Sequence, residues 1–538
     1  MRRNIRIIGV LAAPLPILAL AVPANAATPA LSGRVVLSGE AVPGLAKATH
    51  TGSLAASQNL SLEVSLAPRN QAKLAAFIRA VSDPKSSLYK HYLTVAQYAA
   101  EYGATDAQVQ QVTSYLHSQG LSVGKVTANH LTLAVSGSTA QVEKAFDVSI
   151  GTYKTGSHSF YANAAAPSLP SSIASVVAGV AGLSTSSVRT AAYTVTSHAT
   201  TAKATTALTP TIARDAYNLA SSISSGYNGS GETVGLVEFS SYSASAVAAY
   251  NTKYSLGATA ATVVKVDGGT TDSSGAVEDE LDIEVEYALA PKATVKAYEA
   301  PNSDAGEVAL YAALASADVP VISSSWGEPE TEEDNLTSDN TDFTEMAAQG
   351  QSIYSASGDD GADDNGSSLS VDYPASDPYV SGVGGTQLSV TSSYAWSAET
   401  AWSDSGGGKS VEYATPSFQT SVNSTGDREV PDVSAAGGNN SPWYIDGGSW
   451  EDVWGTSAAA PNWAAFTADY DTAAAALGKS KFGYANSFIY TVAESSYYSS
   501  AFHDVTSGNN GGYSAGTGYD PVSGWGSYNG GNFIADEL

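Results

Sequence analysis

The stretch Gly455-Thr456-Ser457-Ala458-Ala459-Ala460-Pro461 decides how the second half of this chain is read. Gly455 permits close backbone approach, Thr456 and Ser457 are both helix-capping residues, and Ala458 to Thr467 continues with helical composition. Taken alone, Gly-Thr-Ser describes an N-cap serine more often than a nucleophile. A serine hydroxyl attacks a carbonyl only beside a positioned proton acceptor. Histidine, the usual acceptor, occurs once in residues 208–538, as His503. It adjoins a Gly/Asn/Asp-rich loop and reads as a structural hydrogen-bonder rather than a base. Carboxylates are abundant instead, and a serine served by an acidic base works in acid.

Three other stretches supply the carboxylates. Ala276-Val277-Glu278-Asp279-Glu280-Leu281-Asp282-Ile283-Glu284 puts Glu278 and Asp282 one helical turn apart on one face. Two carboxylates so placed repel when both are ionised, so they share a proton and can serve a serine as base and orienter in acid. A solvated acidic face is the plainer account, yet no Lys or Arg compensates the run until Lys292. Tyr354-Ser355-Ala356-Ser357-Gly358-Asp359-Asp360-Gly361 runs a strand into Asp359, where α/β enzymes keep their sites. A protonated Asp359 can donate to a developing oxyanion, and a strand-ending turn explains the same residues equally well. Finally, Asp504 in Phe502–Asn510 and Asp520 in Gly516–Asp520 lie close in sequence with Gly-rich backbone between them. That donor set suits an oxygen-seeking ion such as calcium, or ordinary turns.

The chain of 538 residues predicts two or three domains. Arg2, Arg3 and Arg6, the apolar run Ile7–Val22 and Ala24-Asn25-Ala26 predict a secretory signal over residues 1–26. No later run predicts a membrane span. With no cysteine there is neither disulfide nor thiolate chemistry, so stability must come from a large core, which a bound metal can supplement. Residues 28–207 carry a net charge of +5 and residues 208–538 a net −36, which predicts electrostatic docking of one part on the other and excludes nucleic acid as a partner of the acidic part.

Residues 28–187 read as a compact α/β unit: Leu60–Leu66 alternates as a strand, Gln71–Val81, Thr105–Gln119 and Ser138–Phe146 have helical spacing, and Leu121–Val126, Leu131–Val135 and Val148–Tyr153 are short strands. Ser184–Ala207 has little to bury and reads as an exposed, cleavable linker. Beyond Leu208-Thr209-Pro210, the apolar runs Thr233–Phe239, Thr294–Ala300, Val319–Ser325, Ser352–Ser357 and Val380–Gly384 alternate with helices such as Ala276–Leu289 and Ala305–Ala315. That alternation predicts a parallel sheet covered on both faces.

In their joint order these pieces resemble the sedolisin family of serine-carboxyl peptidases over nearly the whole chain. Ser82–Thr94 resembles the family's propeptide signature. Val237-Glu238, the Glu278/Asp282 helix, Ala290-Pro291, Ser324-Ser325-Trp326-Gly327, Ser357-Gly358-Asp359, Gly406-Gly407-Gly408, Pro431-Asp432, Gly455–Pro461, Gly516–Asp520 and Gly524-Trp525-Gly526-Ser527 follow in the family's sequence. One departure is Trp454, where family members tend to have glycine. The resemblance implies an α/β fold with a subtilisin-like parallel sheet flanked by helices, and an N-terminal ferredoxin-like α+β propeptide domain. It implies a signal at 1–26, a propeptide at 27–187, a linker at 188–207 and a peptidase domain at 208–538. It implies Ser457 as nucleophile, Glu278 as general base and acid, Asp282 as its orienter, Asp359 in the oxyanion hole and Glu238 extending the carboxyl network. One structural calcium would be bound by the side chains of Asp504 and Asp520 and the carbonyls of Val505, Gly516 and Gly518.

The expectation is a secreted, acid-acting endopeptidase on protein or peptide substrates, held inactive by its own propeptide, self-processed at low pH and monomeric. A secreted acidic glycoside hydrolase also uses two carboxylates but gives Gly455–Pro461 no role. A neutral subtilisin needs a catalytic histidine, and a non-catalytic binding protein has no use for the filled chemical positions.

Overall fold

The computed structural model describes residues 33–197 and 207–538. The expected signal, 1–26, and residues 198–206 of the expected linker lie outside the described residues. Among the described residues no helix is long and apolar enough to cross a membrane.

The N-terminal unit is α+β. Its elements are β1 (Asn59–Leu66), α1 (Gln71–Ser82), α2 (Asp106–Ser118), β2 (Ser122–Val126), β3 (Thr132–Ser138), α3 (Thr139–Phe146) and β4 (Val177–Ala181). The strands form an antiparallel sheet in the order β2-β3-β1-β4. A capping box starts α2, Thr105 and Gln108 each satisfying the other's backbone N–H. Leu60, Leu62, Val64 and Leu66 share a core with Val112, Leu116, Val142 and Phe146. On the opposite face of β1, Glu63 and Ser65 are buried too, because that face lies against the second unit. Burial, and secondarily the charge of Asp267, pushes the Glu63 pKa up to about 8.

Two short strands, β5 (Thr190–Ala191) and β6 (Thr194–Ser197), lead on to the second unit. That unit contains β7 (Thr233–Glu238), β8 (Thr262–Lys265), α4 (Ala276–Leu289), β9 (Thr294–Glu299), α5 (Asp304–Ser316), β10 (Val321–Ser324), β11 (Trp326–Pro329) and α6 (Leu336–Gln349). Then come β12 (Ser352–Ala356), β13 (Ser381–Val390), β14 (Trp396–Ala401), β15 (Val433–Ala436), β16 (Trp450–Trp454) and α7 (Thr456–Leu477). The central sheet runs β8-β9-β7-β10-β12-β13-β14, parallel until the antiparallel β13–β14 pair, with β15 parallel to β13.

Each central strand is apolar on both sides because both faces are covered. Val234, Leu236, Val321 and Tyr354 pack with α4 and α7, while Val237, Ile322 and Ile353 pack with α5 and α6. The alternation of strands and helices in the sequence thus matches the observed α/β layers.

The charge asymmetry predicts docking by electrostatics, but the contact between the units is built differently. Many carboxyls of the second unit are inside it, so they do not face the basic unit as surface charge. Ser82–Thr94 instead forms a docking loop: Lys90 Nζ donates to Lys481 O (2.8 Å) and lies 3.4 Å from the Phe488 ring centroid, and Leu93 N donates to Ala348 O (3.0 Å). Tyr92 fills a notch between Gly350 and Gly483, where any side chain would collide with its ring, and its hydroxyl accepts from Tyr484 N (3.0 Å). Among the described residues, ion pairing between the units is concentrated at Arg189.

Candidate active site

Three strand ends and two helix starts converge on one side of the sheet. β7 ends on Glu238, Ser325 follows β10, and Asp359 lies just beyond β12, while the first turns of α4 and α7 bring Glu278, Asp279 and Ser457, and the second turn of α4 adds Asp282. Six acids of α4, at 278, 279, 280, 282, 284 and 286, are buried, so this helix is no solvated acidic face. A charged carboxylate inside a protein is expensive unless paired, and the group keeps its proton instead.

Glu278 and Asp282 are both fully buried and both titrate well above the ordinary carboxyl range, chiefly through burial. Asp282 raises Glu278 further, and Glu238 raises both. Neither oxygen of Glu278 nor Oδ2 of Asp282 has a hydrogen-bond partner among the described residues if both are written as carboxylates. A single proton between the two acids resolves this, since a protonated carboxyl donates where a carboxylate cannot. Ser457 lies against Glu278 closely enough to lower its pKa, while its hydroxyl is turned toward Ser325 O (3.3 Å). Small rotations of that hydroxyl choose between the two acceptors.

Ser325 is the residue that the sequence did not single out for this site. Its hydroxyl donates to Asp282 Oδ1 (2.8 Å), with the Ser457 carbonyl as a second acceptor at 3.2 Å. A second acid pair, Glu238 and Asp279, backs the first. Trp326 Nε1 donates to Glu238 Oε2 (3.1 Å), and burial again dominates the raised pKa of both acids. Asp279 is visible in the acidic run, but nothing in its spacing marks it as the partner of a strand-end glutamate.

Asp359 is held from the other side. Thr456 donates to its Oδ1 through its backbone N–H (2.8 Å) and its hydroxyl (2.9 Å), leaving Oδ2 without a partner among the described residues. Burial lifts its pKa well above the ordinary value, which the two Thr456 bonds only partly offset. Asp359 Oδ2 lies 2.6 Å from the point a Cβ on Gly455 would occupy, and that same Cβ would collide with the carbonyl oxygen of Ala192. Gly455, at φ 152°, is therefore where backbone from another segment approaches the site.

His503 is set apart from this chemistry. Its ring stacks on Trp396 at 4.1 Å, burial lowers its pKa to about 4, and Nε2 has no hydrogen-bond partner among the described residues. The ring packs by stacking on Trp396, and among the described residues Nε2 does not make the hydrogen bond expected of this histidine.

The residues expected to hold calcium are gathered at one turn. Gly518 N lies 3.1 Å from both oxygens of Asp504, and Gly516 N donates to Asp520 Oδ2 (2.8 Å). Val522 N and Ser523 N donate to Asp520 Oδ1, and Ser523 Oγ reaches Val505 O (3.4 Å). Asp504, Asp520 and the Val505 carbonyl are hard oxygen donors of the kind calcium takes, while in this structure the two carboxylates accept from backbone N–H groups. A different group could also hold a metal: Glu307, Glu333 and Asp339 are buried and offer oxygens within 4.8 Å of one another. In this structure the guanidinium of Arg189 sits against Glu307 and Glu333.

Residues 46–186 match the family model for the pro-kumamolisin activation domain, and residues 269–480 match that of the subtilase family. The chain is 31% identical to sedolisin from Pseudomonas sp. (strain 101), over 88% of this chain and 86% of that protein. It is also 31% identical to kumamolisin from Bacillus sp. (strain MN-32), over 92% of this chain and 94% of the relative. The solved structure of Pseudomonas sedolisin, a serine-carboxyl proteinase complexed with two molecules of pseudo-iodotyrostatin, superposes with a TM-score of 0.56 at 29% identity, covering 62% of this chain and 98% of that one. Fold and relatives define a serine-type peptidase carrying an activation domain. Within that class, the chain belongs to the sedolisin family.

Proposed function

We propose that this chain is the precursor of a secreted endopeptidase that works in acid, with Ser457 as nucleophile, Glu278 as general base and acid, Asp282 as its orienter and Asp359 as oxyanion donor. The observation that carries this reading is the fully buried Glu278/Asp282 pair, whose pKa values burial raises, set against Ser457. In the ionised state Glu278 takes the Ser457 hydroxyl proton as Oγ attacks the substrate carbonyl, and then returns it to the leaving amine. Ser457 N–H and a protonated Asp359 Oδ2 donate to the oxygen on which charge develops. Glu238 and Asp279 extend the network and keep a second proton near it.

The proposed boundaries are a signal at 1–26, a ferredoxin-like propeptide at 27–187, a linker at 188–207 and the peptidase at 208–538. The β2-β3-β1-β4 sheet order with its crossing helices supports the ferredoxin-like assignment. The propeptide acts as an intramolecular inhibitor until acid loosens it and the linker is cut. Asp504, Val505, Gly516, Gly518 and Asp520 would hold one calcium, which ties the C-terminal loops together when bound. Digestion of a denatured protein near pH 4, lost in Ser457→Ala, tests the assignment. Undiminished digestion by that variant would refute it.

A further inference from the structure

The segment between the two units lies in the active site as an extended peptide. β5 pairs antiparallel with β11, Thr190 opposite Gly327 and Ala191 opposite Trp326, and β6 pairs antiparallel with β16, Thr194 opposite Trp454. Between them, Ala192 N donates to Ser325 O (3.3 Å), and Ala192 O accepts from Ser457 N (3.2 Å), with Ala192 O and Asp359 Oδ2 both beside the point a Cβ on Gly455 would occupy. The Ala192–Tyr193 peptide bond is therefore the one presented to Ser457.

Counting back from that bond, Arg189 is the fourth residue. Its neighbours Val188 and Thr190 point outward, but its own side chain is 1% exposed. Nη1 pairs with Asp304 (3.0 Å), and Nη2 pairs with Glu333 (3.0 Å), Glu328 (3.4 Å) and Glu307. Asp339, itself fully buried and with an oxygen that lacks a partner among the described residues, closes the cluster. Asn302 reads the backbone beside it, accepting from Arg189 N (3.1 Å) and donating to Arg189 O (2.8 Å). A planar guanidinium facing several carboxylates is matched in shape and charge, which a Lys ammonium matches less well.

We propose that this acidic pocket is a substrate subsite that selects arginine at the fourth residue before the cleaved bond, and that the chain's own Ala192–Tyr193 bond is read by it and cut first. The proposal rests on Ser457 being the nucleophile. In the reaction Ser457 Oγ bonds to the Ala192 carbonyl carbon and its proton passes to Glu278. The carbon–nitrogen bond to Tyr193 then breaks as the amine takes that proton, and water releases Ala192 as a free acid. The pocket remains part of the peptidase domain after the segment leaves, so the same preference governs foreign substrates.

The test uses processed enzyme and internally quenched peptides of the sequence Ser-Val-Arg-Thr-Ala-Ala-Tyr-Thr-Val-Thr-Ser, with Arg, Lys, Ala or Glu at the third position of the peptide. The expected result is cleavage between Ala and Tyr, with kcat/KM for the Ala peptide lower by roughly 10²-fold, Lys intermediate and Glu lowest, because removing arginine leaves buried acids unpaired. In the precursor, mass spectrometry of the first product should give a new N-terminus at Tyr193, and Arg189→Ala should slow its appearance. Enzyme that digests denatured protein but turns over the Arg and Ala peptides equally, or cuts them elsewhere, overturns the subsite and leaves the peptidase assignment standing. Enzyme that digests neither overturns both.

Discussion

Pro461 stands one helical turn beyond Ser457 and, having no backbone N–H, leaves the Ser457 carbonyl unclaimed inside α7. The Ser325 hydroxyl reaches that carbonyl at 3.2 Å while bonding Asp282 at 2.8 Å. A helix defect therefore ties the start of α7 to Asp282, for which the role of orienting Glu278 is proposed.

Pro461→Ala restores the missing donor and should divert the Ser457 carbonyl from Ser325. The expected outcome is an unchanged or higher Tm together with a fall of roughly tenfold in kcat/KM, since proline in a helix interior costs stability. Ser325→Ala should lower kcat/KM as well, by removing the Asp282 hydrogen bond. Full activity in both variants would show that this link does not matter.

Activity should be lost as pH rises, because Asp359 must keep a proton, and should fall again at the lowest pH, because Glu278 must ionise; burial moves both limits up from the free-carboxyl value of ~4. Glu278→Gln removes the base and should lower kcat by about 10³-fold. Asp359→Asn still presents a donor, so part of the activity should survive and should extend to higher pH. A pH–rate profile of kcat/KM for the three proteins decides this, and full wild-type activity at neutral pH would sink the mechanism.

Stability should fall as pH rises from 4 to 7. Glu286 and Asp469 are buried between α4 and α7, and burial raises both pKa values well above normal. In the unfolded chain these acids ionise near pH 4, whereas the folded chain keeps its protons. Between the unfolded and folded pKa values the unfolded state holds fewer protons, so raising pH favours unfolding. Glu286→Gln should raise the pH 7 Tm by several degrees and leave the pH 4 value almost unchanged. Thermal melts across this range would expose the opposite trend if the acids are charged in the fold.

Chelation should lower Tm by roughly 5–10 °C at pH 6, and Asp520→Ala should do the same and abolish the response to calcium. Burial raises the pKa of Asp520, so protonation should weaken the ion's hold as pH falls. A melting temperature indifferent to chelator at pH 6 would remove calcium from the account.

Much of the fold is legible in the sequence because its signals are local. The alternation over Leu60–Leu66, the helical spacing of Thr105–Gln119, and the short apolar runs of β7, β10 and β12 each declare their own element. The Glu278/Asp282 spacing and the Gly455–Pro461 stretch likewise bring the acid pair and the serine to notice before any contact is known. Ser325 and Asp279 are different: what makes them matter is proximity across the sheet, which no spacing records. Arg189 was hidden for another reason. It lies in a stretch poor in apolar residues, and only its strand pairing aims the side chain at acids more than 100 positions away.

The buried acids of α4 also set where this enzyme can persist. A protease that spreads from an acid niche into neutral surroundings loses both its working protonation state and the proton content its core requires. Dilution into neutral medium would then retire the enzyme without any dedicated inhibitor, and the range over which it damages proteins would be drawn by the acidity around it.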